Sequence, residues 1–204
     1  MGKLITIVGN AGIGKTTLTN LLCRDPRFFA ALESHAERPF QQLFAQNLQR
    51  YALANQFDYL LLRAEQERAI RAQAGIGVQD GGLDEDFWVF TQHFQQQGYL
   101  SAAEFALCRR LYLELRAGLG QPDLIIKLDA PLDVIIQRYE QRNRPLEIAQ
   151  RDDLAQLGAL LDRWTATVTT PLLSLDWSSN ALPTSEQQRQ LIETILTKLS
   201  IITE

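Results

Sequence analysis

Cysteine is scarce in this 204-residue chain: Cys23 and Cys108 each stand alone among apolar neighbours. That excludes a disulfide framework, and neither residue has the paired spacing of a metal site. Two buried thiols in a reducing cytoplasm is the reading that follows. Long apolar runs are missing too, with nothing approaching the ~20 residues of a membrane span. Residues Met1–Val8 lack the apolar stretch and small-residue cleavage site of a signal peptide. Positive charge is also short. Twenty Lys and Arg face 24 Asp and Glu, a net charge of −4, so the sequence lacks the broad basic surface expected of a partner for nucleic-acid polymers. Small phosphorylated ligands need only a local positive pocket and remain open.

What is present suits one soluble globular domain over 1–204, with 46% hydrophobic and 22% charged residues. Apolar, β-rich stretches alternate with helical patterns, the mark of an α/β fold with a parallel sheet and helices on both faces. Five strands are expected, at Leu4–Val8, Phe28–Leu32, Ile76–Gln79, Leu124–Leu128 and Leu172–Leu175. Helices are expected to start near Lys15, Phe40, Asn47, Asp84, Ser101, Pro131, Asp152 and Thr184.

The strongest chemical signal is Gly9-Asn10-Ala11-Gly12-Ile13-Gly14-Lys15-Thr16, a full Walker A match. It follows an apolar strand and opens a helical pattern that begins with Thr17, the context this motif requires. Glycines let successive backbone N–H groups point inward, and the helix N-terminus adds partial positive charge. Lys15 reaches the β- and γ-phosphates, and the Thr16 hydroxyl is a ligand for Mg²⁺. ATP is therefore the expected nucleotide. An Asn-Lys-x-Asp guanine-reading motif is missing, and the chain is short for an ATP-driven machine.

Further motifs resemble, in order and spacing, those of the deoxynucleoside kinase family from Lys3 to about Trp164. Leu32-Glu33, followed by Arg38-Pro39-Phe40, is similar to the family's Glu-Pro-Val…Asn-Pro-Tyr segment. The resemblance makes Glu33 the base for the nucleoside 5′-hydroxyl, with Glu37 a nearby rival. Gln56 and Arg63 resemble the base-reading helix and share one helical face. A glutamine amide there offers donor and acceptor side by side. Val78-Gln79-Asp80, followed by Asp84-Glu85-Asp86, resembles the family's strand and acidic motif. That match implies Mg²⁺ ligation by Asp80 and a base-facing pair, Asp86 and Phe90, while Asp84 and Glu85 suit N-terminal helix capping. Arg138, Arg142, Arg144 and Glu147 resemble the family's arginine lid, here about 138–152. Asp162-Arg163-Trp164 resembles Glu-x-Trp, which makes Asp162 the carboxylate for the sugar 3′-hydroxyl.

Three departures stand out. Gly81 and Gly82 replace the family's Arg-Ser, Ala45 replaces a sugar-contacting tyrosine, and Asn55 stands where some members have a stacking aromatic. The resemblance implies a P-loop nucleoside kinase that uses ATP and Mg²⁺ and pairs as a homodimer through two long helices. A purine deoxynucleoside is the favoured substrate. Two alternatives stay open: an ATP-binding module without transfer, fed by Gly81 and Ala45, and a kinase for a nucleoside monophosphate or another small hydroxyl compound. Arg38 and Arg63 are the cations available to replace the missing arginine.

Overall fold

The expected alternation of strand and helix is present in the computed structural model, which describes residues 2–31, 38–142 and 150–201. Five strands, β1 (Lys3–Val8), β2 (Phe28–Ala31), β3 (Ile76–Asp80), β4 (Leu124–Asp129) and β5 (Leu172–Asp176), form one sheet in the order β2-β3-β1-β4-β5. Every pairing is parallel. β1 is central, and Leu4, Ile5, Ile7 and Val8 along it are buried on both faces, as a continuous apolar run in a parallel sheet requires. β3 runs one residue further than expected, because Asp80 still pairs with Ile7. Leu32, expected to close β2, lies outside the described residues.

The helices are α1 (Lys15–Leu22), α2 (Pro39–Gln46), α3 (Leu48–Arg71), α4 (Leu83–Glu85), α5 (Gln92–Gln96), α6 (Ala102–Leu119), α7 (Leu132–Arg142), α8 (Leu154–Thr165) and α9 (Ser185–Ile201). Local chemistry sets several starts. Asn47 accepts the Arg50 N–H at 3.0 Å ahead of α3, and Ser101 forms a reciprocal cap with Glu104 ahead of α6. A short 3₁₀ turn, Arg151–Asp153, leads into α8. Three buried clusters hold the layers together: α1 and α9 against the sheet, α8 against its other face, and a helical lobe centred on Phe44, Phe87 and Phe94. No helix among the described residues is long and apolar enough to cross a membrane.

Between α4 and α5 the chain makes a π-helical turn, Asp86–Thr91, where a regular α-helix was expected. Such turns widen the hydrogen-bonded ring by one residue and are frequent at functional sites. The capping role expected for Asp84 and Glu85 is also corrected, because both point inward. Asp84 accepts from Arg116 at 3.0 and 3.1 Å and from the Tyr112 hydroxyl at 2.7 Å. Arg116 also donates twice to Glu67, both at 2.9 Å. This buried network ties α3, α4 and α6 together, so Asp84 is a structural residue. Glu85 belongs to the site.

Candidate active site

The C-terminal ends of β1 and β3 meet in the middle of the sheet, at the crevice where open α/β sheets bind ligands. The loop after Val8 doubles back into α1, with Gly14 at φ +113°. A Cβ there would lie 2.8 Å from Trp177 Nε1, so only glycine fits. Ile13 anchors the loop in the core, and Asn10 Nδ2 donates to Leu154 O at 2.7 Å, docking it on α8. Lys15 Nζ curls beneath the loop, donating to Gly9 O at 2.6 Å and Asn10 O at 3.3 Å.

A cavity of about 250 Å³ opens over this loop, lined by Asn10, Gly12–Thr17, Asp80, Arg138 and Arg142. The Gly9 and Ala11 N–H groups, expected to face phosphate, are committed inside the protein to Glu85 and Asn10 Oδ1. The part of the loop beyond them that lines the cavity is Gly12–Thr17. Thr16 Oγ1 donates to Asp80 Oδ2, which brings two hard oxygens together. That donor set fits Mg²⁺, which takes one or two protein oxygens and completes its shell with substrate phosphates and water. No cluster of three or more His, Cys, Asp or Glu suited to a metal occurs among the described residues.

A larger cleft of about 700 Å³ continues from the loop, with walls that include Gly14, Arg138, Asp176, Trp177, Asn180 and Leu191. Arg138 Nη1 donates to Trp177 O at 2.7 Å and Nη2 to Ser179 O at 2.7 Å, organising the connection after β5. The motif reading missed this wall. Its signal was Asp176-Trp177 at the end of a parallel strand, where ligands bind.

On the other side of Asp80, three of the residues expected to read a base, Gln56, Arg63 and Asp86, come together. Arg63 Nε donates to Asp86 Oδ2 at 2.9 Å and Nη1 to Asp80 O at 2.9 Å. Gln56 Nε2 donates to Asp86 O at 3.0 Å and Thr91 Oγ1 at 2.7 Å. Phe90 is half-buried against the cluster under α8. Gly81, at φ +75°, would carry a side chain only under strain and in a tight space, since its Cβ would stand 3.0 Å from Arg63 Nη2 and 3.1 Å from Glu85 Oε2. Arg63 is thus the cation beside Gly81, while Arg38 is held by Asp58, Nε to Oδ2 at 2.8 Å. Ala45 is exposed on α2. Asn55 is fully buried with neither amide atom hydrogen-bonded among the described residues, and nothing in the structure explains it.

Asp162 makes no hydrogen bond to this group among the described residues: its carboxylate pairs with Lys127 at 2.7 Å, and its side chain is 68% exposed. Glu33, Glu37, Arg144 and Glu147 lie outside the described residues.

Glu85 links the two halves, and sequence reasoning missed it. Only 2% exposed, it accepts the Gly9 N–H at 2.8 Å and lies 3.9 Å from Lys15 Nζ. Burial pushes its carboxyl up to about 7, against the downward pull of Lys15 and the Gly9 N–H, and Asp86 adds to the rise. The folded protein therefore binds more protons here than the unfolded chain between about pH 4.5 and 7. Stability from this residue is complete below that window and falls as pH rises through it, by roughly 3 kcal/mol at most. Glu85→Gln should flatten the pH dependence of denaturant-measured stability in that window. An unchanged slope would place the titration elsewhere.

A family model for deoxynucleoside kinases matches residues 5–200. A deoxyadenosine/deoxycytidine kinase of Bacillus subtilis (strain 168) is 27% identical over 177 residues, covering 85% of this chain and 82% of that protein. A deoxyadenosine kinase of Dictyostelium discoideum is 29% identical over 195 residues, 94% of this chain and 78% of that protein. In three dimensions the fold is similar to deoxyadenosine kinase from M. mycoides with bound dCTP, at a TM-score of 0.76 and 19% identity, covering 97% of this chain and 98% of that one.

Proposed function

The chain belongs to the deoxynucleoside kinase family, and from that premise we propose that it transfers the γ-phosphoryl group of ATP to the 5′-hydroxyl of a deoxynucleoside. One observation carries the reading. Glu85 touches the phosphate loop and its neighbour Asp86 touches Arg63 and, through its carbonyl, Gln56, so a single peptide bond joins the donor and acceptor sides.

In this reading the loop amides of Gly12–Thr17 and Lys15 hold the phosphates. Arg142 and Arg144 neutralise the charge on them, and Arg138 shapes the nucleotide cleft. Glu33 accepts the 5′-hydroxyl proton. The 5′ oxygen bonds to the γ-phosphorus as the β–γ bridging oxygen leaves with its electron pair on ADP. Thr16 and Asp80 would hold Mg²⁺, whose charge would offset that of the transferring phosphate. Gln56, Arg63, Asp86 and Phe90 face the base.

Arg63 beside Gly81 supplies the charge that the family's arginine would bring, which supports transfer over a binding-only module. Arg38 is already matched with the Asp58 carboxylate, which favours a neutral nucleoside over a monophosphate as acceptor. Leu61 on α3 and Leu107 and Leu113 on α6 are exposed, which supports pairing with a second copy through these two long helices. A reducing cytoplasm suits the two free thiols. Incubation with ATP and a deoxynucleoside panel tests the proposal. ADP and a nucleoside 5′-monophosphate are the expected products.

A further inference from the structure

Gly9 is bracketed by opposite charges. Its N–H donates to Glu85 Oε1 at 2.8 Å, and its carbonyl accepts from Lys15 Nζ at 2.6 Å. The same ammonium donates to Asn10 O at 3.3 Å and stands 3.9 Å from Glu85 Oε1. Lys15 therefore rests between two loop carbonyls and a buried carboxylate, at the floor of the cavity that opens over the loop. A triphosphate in that cavity competes with Glu85 for one ammonium.

The other groups around Glu85 cannot make good the loss. Arg63 of α3 also acts on it, but its Nε is on the Asp86 carboxylate and its Nη1 on Asp80 O. Asp86, next along the chain, is a like charge. The Asp80 carboxylate, at the end of β3, is turned to Thr16. A carboxylate only 2% exposed that loses its cation is costly, since neither water nor another charge compensates it. Taking up a proton removes that cost. Burial has already pushed this carboxyl up to about 7 against the pull of Lys15, so the proton is within reach near neutral pH.

We infer that Glu85 is a positioning residue for Lys15: it holds the ammonium under the empty loop, and it takes up one proton from solvent when ATP draws the ammonium onto its phosphates. One O–H bond forms, on Oε2, because Oε1 keeps the Gly9 N–H; no other covalent bond changes. The neutral carboxyl stops competing for Lys15, and the loop keeps its anchor in both states. This rests on the ATP-binding part of the reading above. Proton uptake on binding makes ATP affinity fall as pH rises above about 7, whereas below that the free protein already carries the proton and the slope vanishes.

Calorimetric titration with ATP and Mg²⁺ in buffers of different ionisation enthalpy counts the protons. At about pH 8 the unmodified protein should take up about one proton more than Glu85→Gln. Its affinity should also fall about five-fold more than the variant's between pH 7 and 8. Comparison with the variant removes protons that belong to ATP itself. Thermal melting checks that Glu85→Gln folds. Carboxyl ¹³C NMR of the unmodified protein reads the same event with no substitution: one glutamate resonance should move to its protonated position as ATP is added. Equal uptake by the two proteins, or no carboxyl that moves, would overturn the inference and leave ATP binding standing. A proton released from Glu85 would overturn it as well. Failure of ATP to bind would remove both the inference and the reading beneath it.

Discussion

Replacing Lys15 by alanine is expected to weaken ATP–Mg²⁺ binding by about 10²-fold while leaving the fold intact, since a charge-assisted contact to phosphate is worth ~1.5–3 kcal/mol. The ammonium is already in place beneath the loop, on Gly9 O and Asn10 O. Its removal need not strand Glu85 as a buried anion, because Lys15 is what chiefly opposes the rise in that carboxyl. Without it Glu85 takes up a proton and becomes neutral. Calorimetric titration with ATP and Mg²⁺ measures the effect. An unchanged affinity would contradict the phosphate cradle.

Glu33→Gln is expected to cut nucleoside turnover by about 10²-fold or more and to spare ATP affinity, because in the proposed reaction it removes only the proton acceptor. Glu33 follows Ala31 by two residues, and Ala31 pairs with Gln79, the neighbour of Asp80 in β3. Two other carboxylates are rivals: Glu37 in the same segment and Glu85, whose raised carboxyl takes a proton near neutral pH. Turnover measured for the glutamine variants of all three, with ATP binding as a control, assigns the base. A loss confined to Glu37→Gln would shift the assignment by four residues, and one confined to Glu85→Gln would move it to the phosphate loop.

Much of this architecture was legible in the chain itself. The strands are continuous apolar runs because a parallel sheet covered on both faces leaves them no solvent side, and the glycine spacing before Lys15 has few uses other than phosphate. The Gln56–Arg63–Asp86 group was legible by resemblance, but not the direction of its amide. That depends on a carbonyl and a hydroxyl brought together by a π-helical turn, which follows no simple sequence period. Acidic residues at a helix start read as caps, so Asp84 and Glu85 were misread. Their partners, Arg116 and Gly9, are 32 and 76 residues away. The pairing of Asp162 with Lys127 was not legible, because a carboxylate two residues before a tryptophan says nothing about a lysine on a neighbouring strand.

The account turns on Gly81, where an arginine is expected and Arg63 stands instead. The most direct measurement is ³¹P detection of 5′-monophosphate formed from ATP and deoxyadenosine by the unmodified protein and by Gly81→Arg. The account predicts multiple turnovers by the unmodified protein and a loss in the variant. An arginine at φ +75° would be strained, and its Cβ would crowd Arg63 and Glu85. No product from any nucleoside with the unmodified protein, and product restored by Gly81→Arg, would contradict it.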